Sequence, residues 1–420
     1  MEYIARKIFT NLLEQSKNRK ISILLGPRQT GKTTLLKELC RVLSKKNRCL
    51  FLDLDVLSNF ESVSSFENLK NTITLHGYDK NEKKLFYLFL DEFHKYADLT
   101  NIIKNVYDNI ENVKIFASGS SSVEIKKQAG ESLAGRKIIN EIYPLDFEEF
   151  LLFKKENMAI EMLKNSKKLD GAGLEKSTKV LREFLEEFII YGGYPEVALK
   201  IKNDEKKEVL KSIFDLYLKK DIRNYVSIEK VLKTKKLVEF LAINHGQKIK
   251  YETIGTSCSL NYFETKELLE LLFETYLVYE LKPFYINKNK ELVKIPKIYF
   301  IDNGVRNYFV NNFNKTFIRS DAGFLLEAFV LGELLKNNKC KIKFWQDKNG
   351  NEVDFILENE KQAIEIKFKT KLKSEDFHSL KIFLSVYASF TSYIINLGIQ
   401  KKREKIKPIL PYKLFEEVKL

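Results

Sequence analysis

Gly26-Pro27-Arg28-Gln29-Thr30-Gly31-Lys32-Thr33 decides the fold, because this octapeptide fits G-x-x-x-x-G-K-[ST] at every fixed position. Each residue type answers a chemical need. The glycines let backbone amides turn inward around phosphate oxygens, Lys32 reaches the outer phosphate oxygens, and the Thr33 hydroxyl ligates Mg²⁺. The context supports the pattern. An apolar run, Ile21–Leu25, feeds the loop, and the residues after Thr33 open a helix whose N-terminal end faces the anion. The expectation is a site for ATP with Mg²⁺ formed by Gly26, Pro27, Arg28, Gln29, Thr30, Gly31, Lys32, Thr33 and Thr34.

Outward from that loop, short apolar runs at 49–54, 85–90, 113–117 and 137–142 alternate with helical patterns, the mark of a parallel α/β sheet. The third strand, Leu85-Phe86-Tyr87-Leu88-Phe89-Leu90, ends in Asp91-Glu92. Asp91 is expected to hold Mg²⁺ and Glu92 to polarise the attacking water, which makes the chain a hydrolase as well as a binder. The fourth strand runs into Ser118-Gly119-Ser120-Ser121, where Ser120 is the candidate for positioning water or sensing the terminal phosphate. Arg136, in Leu133-Ala134-Gly135-Arg136, has two readings: an arginine finger reaching a neighbouring subunit's nucleotide, or one half of a surface ion pair. Asp55, just past the second strand, is a further polar candidate.

At 420 residues the chain is expected to form two or three domains. The longest apolar run is far short of a membrane span, and the first residues lack a signal-peptide core, so the expectation is a cytoplasmic protein with no membrane partner. Four scattered cysteines and four isolated histidines exclude a disulfide framework and a zinc site of the usual spacing. The net charge of +15 hints at nucleic acid. Only 11 of the 72 basic residues are arginine, however, and residues 231–420 hold 32 basic against 23 acidic groups. The preference for lysine fits nucleotide bias in the genome as well as selection for a binding surface, so the basicity is weak evidence for DNA.

The division expected from pattern is 1–150 for the phosphate-binding core, 151–228 for a helical lid, 229–300 for a winged-helix segment and 301–420 for a second α/β domain. In the lid, 164–179 reads as a loop, and 180–190, 195–200 and 209–225 as helices. Tyr191-Gly192-Gly193-Tyr194-Pro195 is the turn between two of them. Helices at 232–244, 251–257 and 260–275, then alternating stretches at 276–285 and 292–301, follow a winged helix-turn-helix plan. The third of these helices carries Glu264, Glu267, Glu270 and Glu274 against Lys266, which argues against groove binding of DNA. The last segment reads as a helix at 325–335, strands at 341–346, 353–358 and 363–368, and a helix at 374–386. Glu365 and Lys367 share a strand face, and a hairpin brings Asp354 beside them. With Glu327 from the preceding helix, these residues can hold Mg²⁺ and activate a water for phosphodiester cleavage.

The succession GPRQTGKTTLL, LFLDEFHKY, IFASGSSS, SLAGR, IYPLDFEEFL and YGGYPE resembles the AAA+-type ATPases abundant in archaea and anaerobic bacteria. That resemblance implies ATP and Mg²⁺ as cofactors, a sheet order of 5-1-4-3-2, a helical lid, a winged helix and a capacity to oligomerise. Arg182 and Arg223 are the nearest matches to the lid arginine of that family. The Glu327, Asp354, Glu365, Lys367 set resembles the PD-(D/E)XK nuclease superfamily, so the implied last domain is restriction-endonuclease-like. Three readings stay open: an ATPase acting on DNA or a DNA-associated partner, an ATP-regulated metal-dependent nuclease, and a nucleotide-dependent switch that binds a protein through an inactive nuclease-like domain.

Overall fold

A computed structural model describes residues 3–96, 98–119, 133–165, 171–222, 226–285, 295–337, 341–399 and 405–418. The chain forms two compact units, Met1–Pro144 with Glu274–Tyr276, and Leu145–Phe273 with Leu277–Leu420. Among the described residues, no helix is long and apolar enough to cross a membrane.

The first unit is built on a sheet whose described strands are β1 (Ile21–Leu25), β2 (Cys49–Asp53), β3 (Phe86–Asp91), β4 (Val113–Gly119) and β5 (Lys137–Glu141). All neighbours run parallel, in the order β2-β3-β4-β1-β5, which is the expected 5-1-4-3-2 read from the other edge. The three central strands are buried at every residue, whereas β2 alternates and β5 is largely open. Burial on both faces is what makes central parallel strands read as unbroken apolar runs. The helix Lys32–Leu43 lays Leu35, Leu36 and Leu39 against Leu24, Phe89 and Phe116. The Phe89 and Phe116 rings stack with centroids 5.3 Å apart. This packing fixes the helix start at the rim where β1, β3 and β4 end.

The second unit begins with a helix, Phe147–Phe153, whose start explains the DFEEF motif. Asp146 Oδ1 accepts the Glu149 amide at 2.8 Å and Glu149 Oε2 accepts the Asp146 amide at 3.2 Å, a reciprocal capping box. Glu333 adds an acceptor for the Phe147 amide at 3.1 Å. The glycine turn expected at Tyr191–Pro195 has a packing role. Gly192 lies at φ +78°, and a Cβ there would meet Asp302 Oδ1 at 2.1 Å. Asp302 instead accepts the Gly193 amide at 2.7 Å and the Val305 amide at 3.1 Å, which locks the turn to the helix Asn303–Phe309.

Beyond these helices lies a seven-stranded sheet of β6 (Val278–Pro283), β7 (Lys297–Phe300), β8 (Ile342–Gln346), β9 (Glu352–Leu357), β10 (Gln362–Lys367), β11 (Thr391–Asn396) and β12 (Ile406–Ile409). Its order is β12-β11-β10-β9-β8-β6-β7. Three helices, Ile228–Ile243, Tyr251–Cys258 and Tyr262–Glu274, precede the antiparallel pair β6/β7, as the pattern anticipated. That pair is also the edge of the larger sheet, because β6 runs parallel to β8 through Lys282↔Lys343 and Pro283↔Phe344. One apolar core unites Leu145, Phe150, Leu181 and Phe188 with Leu325, Phe329, Phe355 and Ile395, so the expected segments 151–228, 229–300 and 301–420 pack as one body.

Two expectations need correction. The stretch read as a loop at 164–179 is largely helical, since Gly171–Tyr191 is one helix. Its glycines and lysines suggested a connection, but Leu174, Glu175, Lys176 and Lys179 are good helix formers, and Ser177 and Leu181 are buried. Strands β11 and β12 were also not anticipated. Their short runs follow a helix, and only the parallel register Ile364↔Tyr393 and Tyr393↔Lys407 reveals them.

Candidate functional site

The loop after β1 has the backbone that its glycines permit. Gly26 lies at φ +154° and Gly31 at φ +91°, and Gln29, with φ +60°, adds a left-handed turn between them. A Cβ on Gly26 would strike the Ile142 carbonyl oxygen at 2.1 Å, whereas none of the described atoms stands within 4 Å of one on Gly31. Space for an anion therefore opens on the Gly31 side, at the first turn of the helix Lys32–Leu43. Lys32 is 5% exposed, and its Nζ donates to the Gly26 carbonyl at 2.9 Å and the Pro27 carbonyl at 2.7 Å. Its charge is thus held over the loop by weak acceptors that a phosphate oxygen outcompetes.

Asp91 ends β3 beside this loop. Its carboxylate accepts hydrogen bonds from the Ser118 hydroxyl at the end of β4 and from the Thr33 hydroxyl. Burial pushes the Asp91 carboxyl up, those hydrogen bonds pull it back, and the charges of Glu92 and Asp53 add to the rise. A cation placed there relieves the repulsion, and the Thr33 hydroxyl with the Asp91 carboxylate is the hard oxygen set that Mg²⁺ takes. The residues present fit ATP with Mg²⁺. The Pro27 carbonyl, which accepts Lys32 Nζ, also accepts the Thr30 hydroxyl at 2.9 Å.

Glu92 follows at φ +57°, an unusual conformation for a residue with a side chain. Its amide donates to Ser118 Oγ at 3.4 Å, and its Oε2 lies 3.4 Å from His94 Nδ1. Burial holds His94 down to about 4, and the charges of Arg28, Lys32 and Lys95 act in the same direction. His245, fully buried in the second unit, is held at about 3 by burial and then by Arg306. Both imidazoles are neutral when folded and protonate more readily when unfolded. Their stabilising contribution is complete above pH 6.5 and is lost as the pH falls toward 4. Unfolding midpoints measured across that window should fall, and His94→Gln should flatten part of the slope.

Sequence patterns missed Arg6. It is 9% exposed, and its guanidinium donates to the Thr30 carbonyl at 2.9 Å and the Tyr143 carbonyl at 3.0 Å. Arg6 therefore clamps the phosphate loop from outside it. Losing one of two charge-assisted bonds is expected to weaken ATP binding by ~10-fold in Arg6→Lys, read by titration of a fluorescent ATP analogue. The readable cue was its type, an arginine in a lysine-rich chain.

The remaining candidates are placed as follows. Arg28 is close enough for its charge to act on His94, and Thr34 lies in the first turn of the helix Lys32–Leu43. Asp55 is ion-paired with Lys95. Ser120 and Arg223 lie outside the described residues, so Ser118 is the hydroxyl seen at the end of β4. Arg182 donates to the Leu397 carbonyl within the second unit. Arg136 adjoins the start of β5, where its carbonyl accepts the Ile21 amide at 2.8 Å, so it stands at the end of β1 opposite the loop. Its guanidinium grips Asp108 at 2.7 and 3.2 Å. In this geometry Arg136 cannot reach its own subunit's nucleotide.

Glu327, Asp354, Glu365 and Lys367 do come together, as the hairpin argument required. Glu365 Oε1 accepts Lys367 Nζ at 2.5 Å, and Asp354 Oδ2 accepts the Ile366 amide at 2.7 Å. Glu327 Oε2 accepts the Tyr299 hydroxyl at 2.7 Å. Burial, with the charge of Asp354, pushes Glu327 up to about 8 and Glu365 well above the usual range. The correction concerns what lies between them. Lys297, which no motif had marked, lies 4.0 Å from Glu327 and 3.9 Å from Asp354 and is ion-paired with Glu352, and among the described residues no group of three or more His, Cys, Asp or Glu is disposed to hold a metal.

Residues 18–151 match the family model described as an AAA domain. Residues 182–316 and 322–415 match two domains of unknown function, DUF8612 and DUF4143. The AAA-domain match spans most of the first unit and continues seven residues into the second. An uncharacterized protein of Methanocaldococcus jannaschii is 29% identical over 358 residues, 82% of this chain and 74% of that protein. One from Haemophilus influenzae is 23% identical over 93% of both chains. The solved Walker-type ATPase of Pyrococcus abyssi is 16% identical across 73% of this chain and 96% of its own, with a TM-score of 0.47. For the Aeropyrum pernix ORC2 protein in its ADP form the figures are 11%, 74% and 93%, with a TM-score of 0.34.

Proposed function

We propose that the chain is an ATPase that binds ATP with Mg²⁺ at the loop Gly26–Thr33 and hydrolyses it, and that turnover controls binding by the second unit. The observation that carries this reading is the junction of Thr33, Asp91 and Ser118 beside a buried lysine. When bound, Mg²⁺-ATP supplies the scissile phosphoanhydride and a divalent charge. Lys32 would then exchange its two carbonyl acceptors for phosphate oxygens, and the Thr33 hydroxyl and Asp91 carboxylate would hold the Mg²⁺. Glu92 orients the water for attack in line with the leaving group. Phosphate release with Mg²⁺ and with EDTA, from wild type and Lys32→Ala, tests the proposal. Equal rates in the two proteins overturn it.

For the second unit, a protein partner fits better than duplex DNA. The helix Tyr262–Glu274 presents Phe263 at 80% and Tyr262 at 51% exposure, beside Glu264 and Glu267, which engage Lys233 and Lys230. Exposed aromatics with carboxylates suit a protein surface and repel phosphates. DNA binding that weakens steeply with salt would contradict this choice. A finger role for Arg136 requires a second copy, so an ATPase rate per chain that is unaffected by both dilution and Arg136→Ala excludes it.

A further inference from the structure

Seven polar side chains of the second unit form one cluster: Lys297 and Tyr299 from β7, Glu327 from the helix Ala322–Asn337, Glu352 and Asp354 from β9, and Glu365 and Lys367 from β10. Lys297 is 4% exposed. Its Nζ is ion-paired with Glu352 and lies 3.9 Å from Asp354 Oδ1 and 4.0 Å from Glu327 Oε2. The three carboxylates come from two separate elements, and the ammonium from a third. The strand that carries it is held by the β6 ladder, with Glu280↔Ile298 and Leu281↔Lys297 as partners.

We infer that Lys297 is the resident cation of this pocket, standing where the oxygens of Glu327, Glu352 and Asp354 converge, so that the pocket needs and takes no divalent metal. Buried carboxylates require a compensating positive charge, and three ammonium protons can be shared among three acceptors. An ion-pairing lysine tethered to a strand competes with any free ion at a large entropic advantage. A divalent ion placed among the same oxygens would stand within about 4 Å of the ammonium and be repelled by it. Glu365 and Lys367 satisfy one another at the rim of the cluster, and Glu365 Oε2 is left buried without a hydrogen-bond partner. The acids and lysine of a phosphodiester-cleaving centre are therefore present, but with the metal's place taken by a side chain. This inference is independent of ATP turnover and is tested without nucleotide.

The probe is Mn²⁺ added to the full chain, with bound ion counted by electron paramagnetic resonance and unfolding midpoints measured in EDTA and in Mn²⁺. Wild type and Asp354→Asn are expected to bind equal amounts, and Mn²⁺ to shift both midpoints from their EDTA values by the same amount. Lys297→Met should lower the midpoint in EDTA by roughly 10 °C, with Mn²⁺ restoring part of the loss and binding at the vacated point. A wild-type Mn²⁺ site that disappears in Asp354→Asn overturns the inference, as does a folded Lys297→Met that gains no ion. Where Lys297→Met does not fold, the combined Lys297→Met, Glu327→Gln and Asp354→Asn variant separates charge from shape. Its folding in EDTA supports the inference. Its failure to fold shows that the lysine stem, and not its charge, is what the pocket requires, and overturns it.

Discussion

Replacing Glu92 with glutamine is expected to cut ATP turnover by roughly 10²–10⁴-fold while leaving ATP binding intact. Glutamine keeps the shape of the side chain but cannot accept a proton from the attacking water. On the proposed reading, nucleotide affinity rests on Lys32, Thr33 and the loop backbone, none of which the substitution touches. The conformation of Glu92 points the same way. A left-handed φ of +57° costs of order 1 kcal/mol in a residue with a Cβ, and such outliers persist where the surroundings force them. Here the Ser118 hydroxyl holds the Glu92 amide, and the His94 imidazole, neutral because burial holds it near 4, meets Oε2 with a dipole and not a full charge. Glu92→Gly would relax the backbone and still abolish turnover, so thermal stability and activity should move in opposite directions. Phosphate release at saturating ATP, beside equilibrium binding of a fluorescent analogue, gives the answer. A fall of less than tenfold in Glu92→Gln would mean that another group orients the water.

What was legible in the sequence follows from locality. The octapeptide and the continuous apolar runs of β1, β3 and β4 could be read directly, because a central parallel strand is buried on both faces and a phosphate loop is a local backbone shape. Asp91 and Thr33 stand together because the end of β3 and the first turn of the helix after β1 meet at one rim. The hairpin geometry also brought Asp354 to Glu365 and Lys367. Residues that act through distant packing were not legible. Arg6 reaches Thr30 and Tyr143 across 24 and 137 positions, and no spacing rule connects them. Lys297 was hidden among the chain's many lysines, and only the partnership of β7 with β6, and of β6 with β8, carries it to the acids on β9. The Gly192-Gly193 turn drew notice as a motif, yet its meaning depends on Asp302, more than a hundred residues later. The helix Gly171–Tyr191 was lost at its start because local composition outweighed a burial pattern that only the fold reveals.

Arginine scarcity was the signal that pattern matching left unused, and it leads to the second large effect, at Asp321. In a chain with 11 arginines among 72 basic residues, Arg306 and Arg319 are placed where a lysine cannot serve. Both are almost fully buried. Arg319 Nε and Nη2 donate to Asp321 Oδ1 and Oδ2 at 2.8 Å each, and Arg306 Nη1 is ion-paired with Oδ2. Arg306 Nε also donates to the Ala242 carbonyl at 2.8 Å, and Arg319 Nη2 donates to Asn307 Oδ1 at 2.8 Å, which ties the helices Ile228–Ile243 and Asn303–Phe309 to one carboxylate. Asp321→Asn removes the only negative charge in this group and leaves two guanidiniums buried together, so it is expected to cost ~3–5 kcal/mol. The pH profile separates this from a mere packing defect. Although burial pushes the Asp321 carboxyl up, the hydrogen bonds from Arg319 and the charge of Arg306 hold it well below the usual range. A group depressed in this way stabilises the fold fully above its unfolded value of about 3.9, and loses that contribution as the pH falls toward the folded one. The gap between wild type and Asp321→Asn in chemical denaturation should therefore be constant from neutrality to about pH 5, then narrow on further acidification. A gap that is small at neutral pH, or that does not narrow in acid, would show that Asp321 holds these helices by shape, and that the two arginines find their compensation elsewhere.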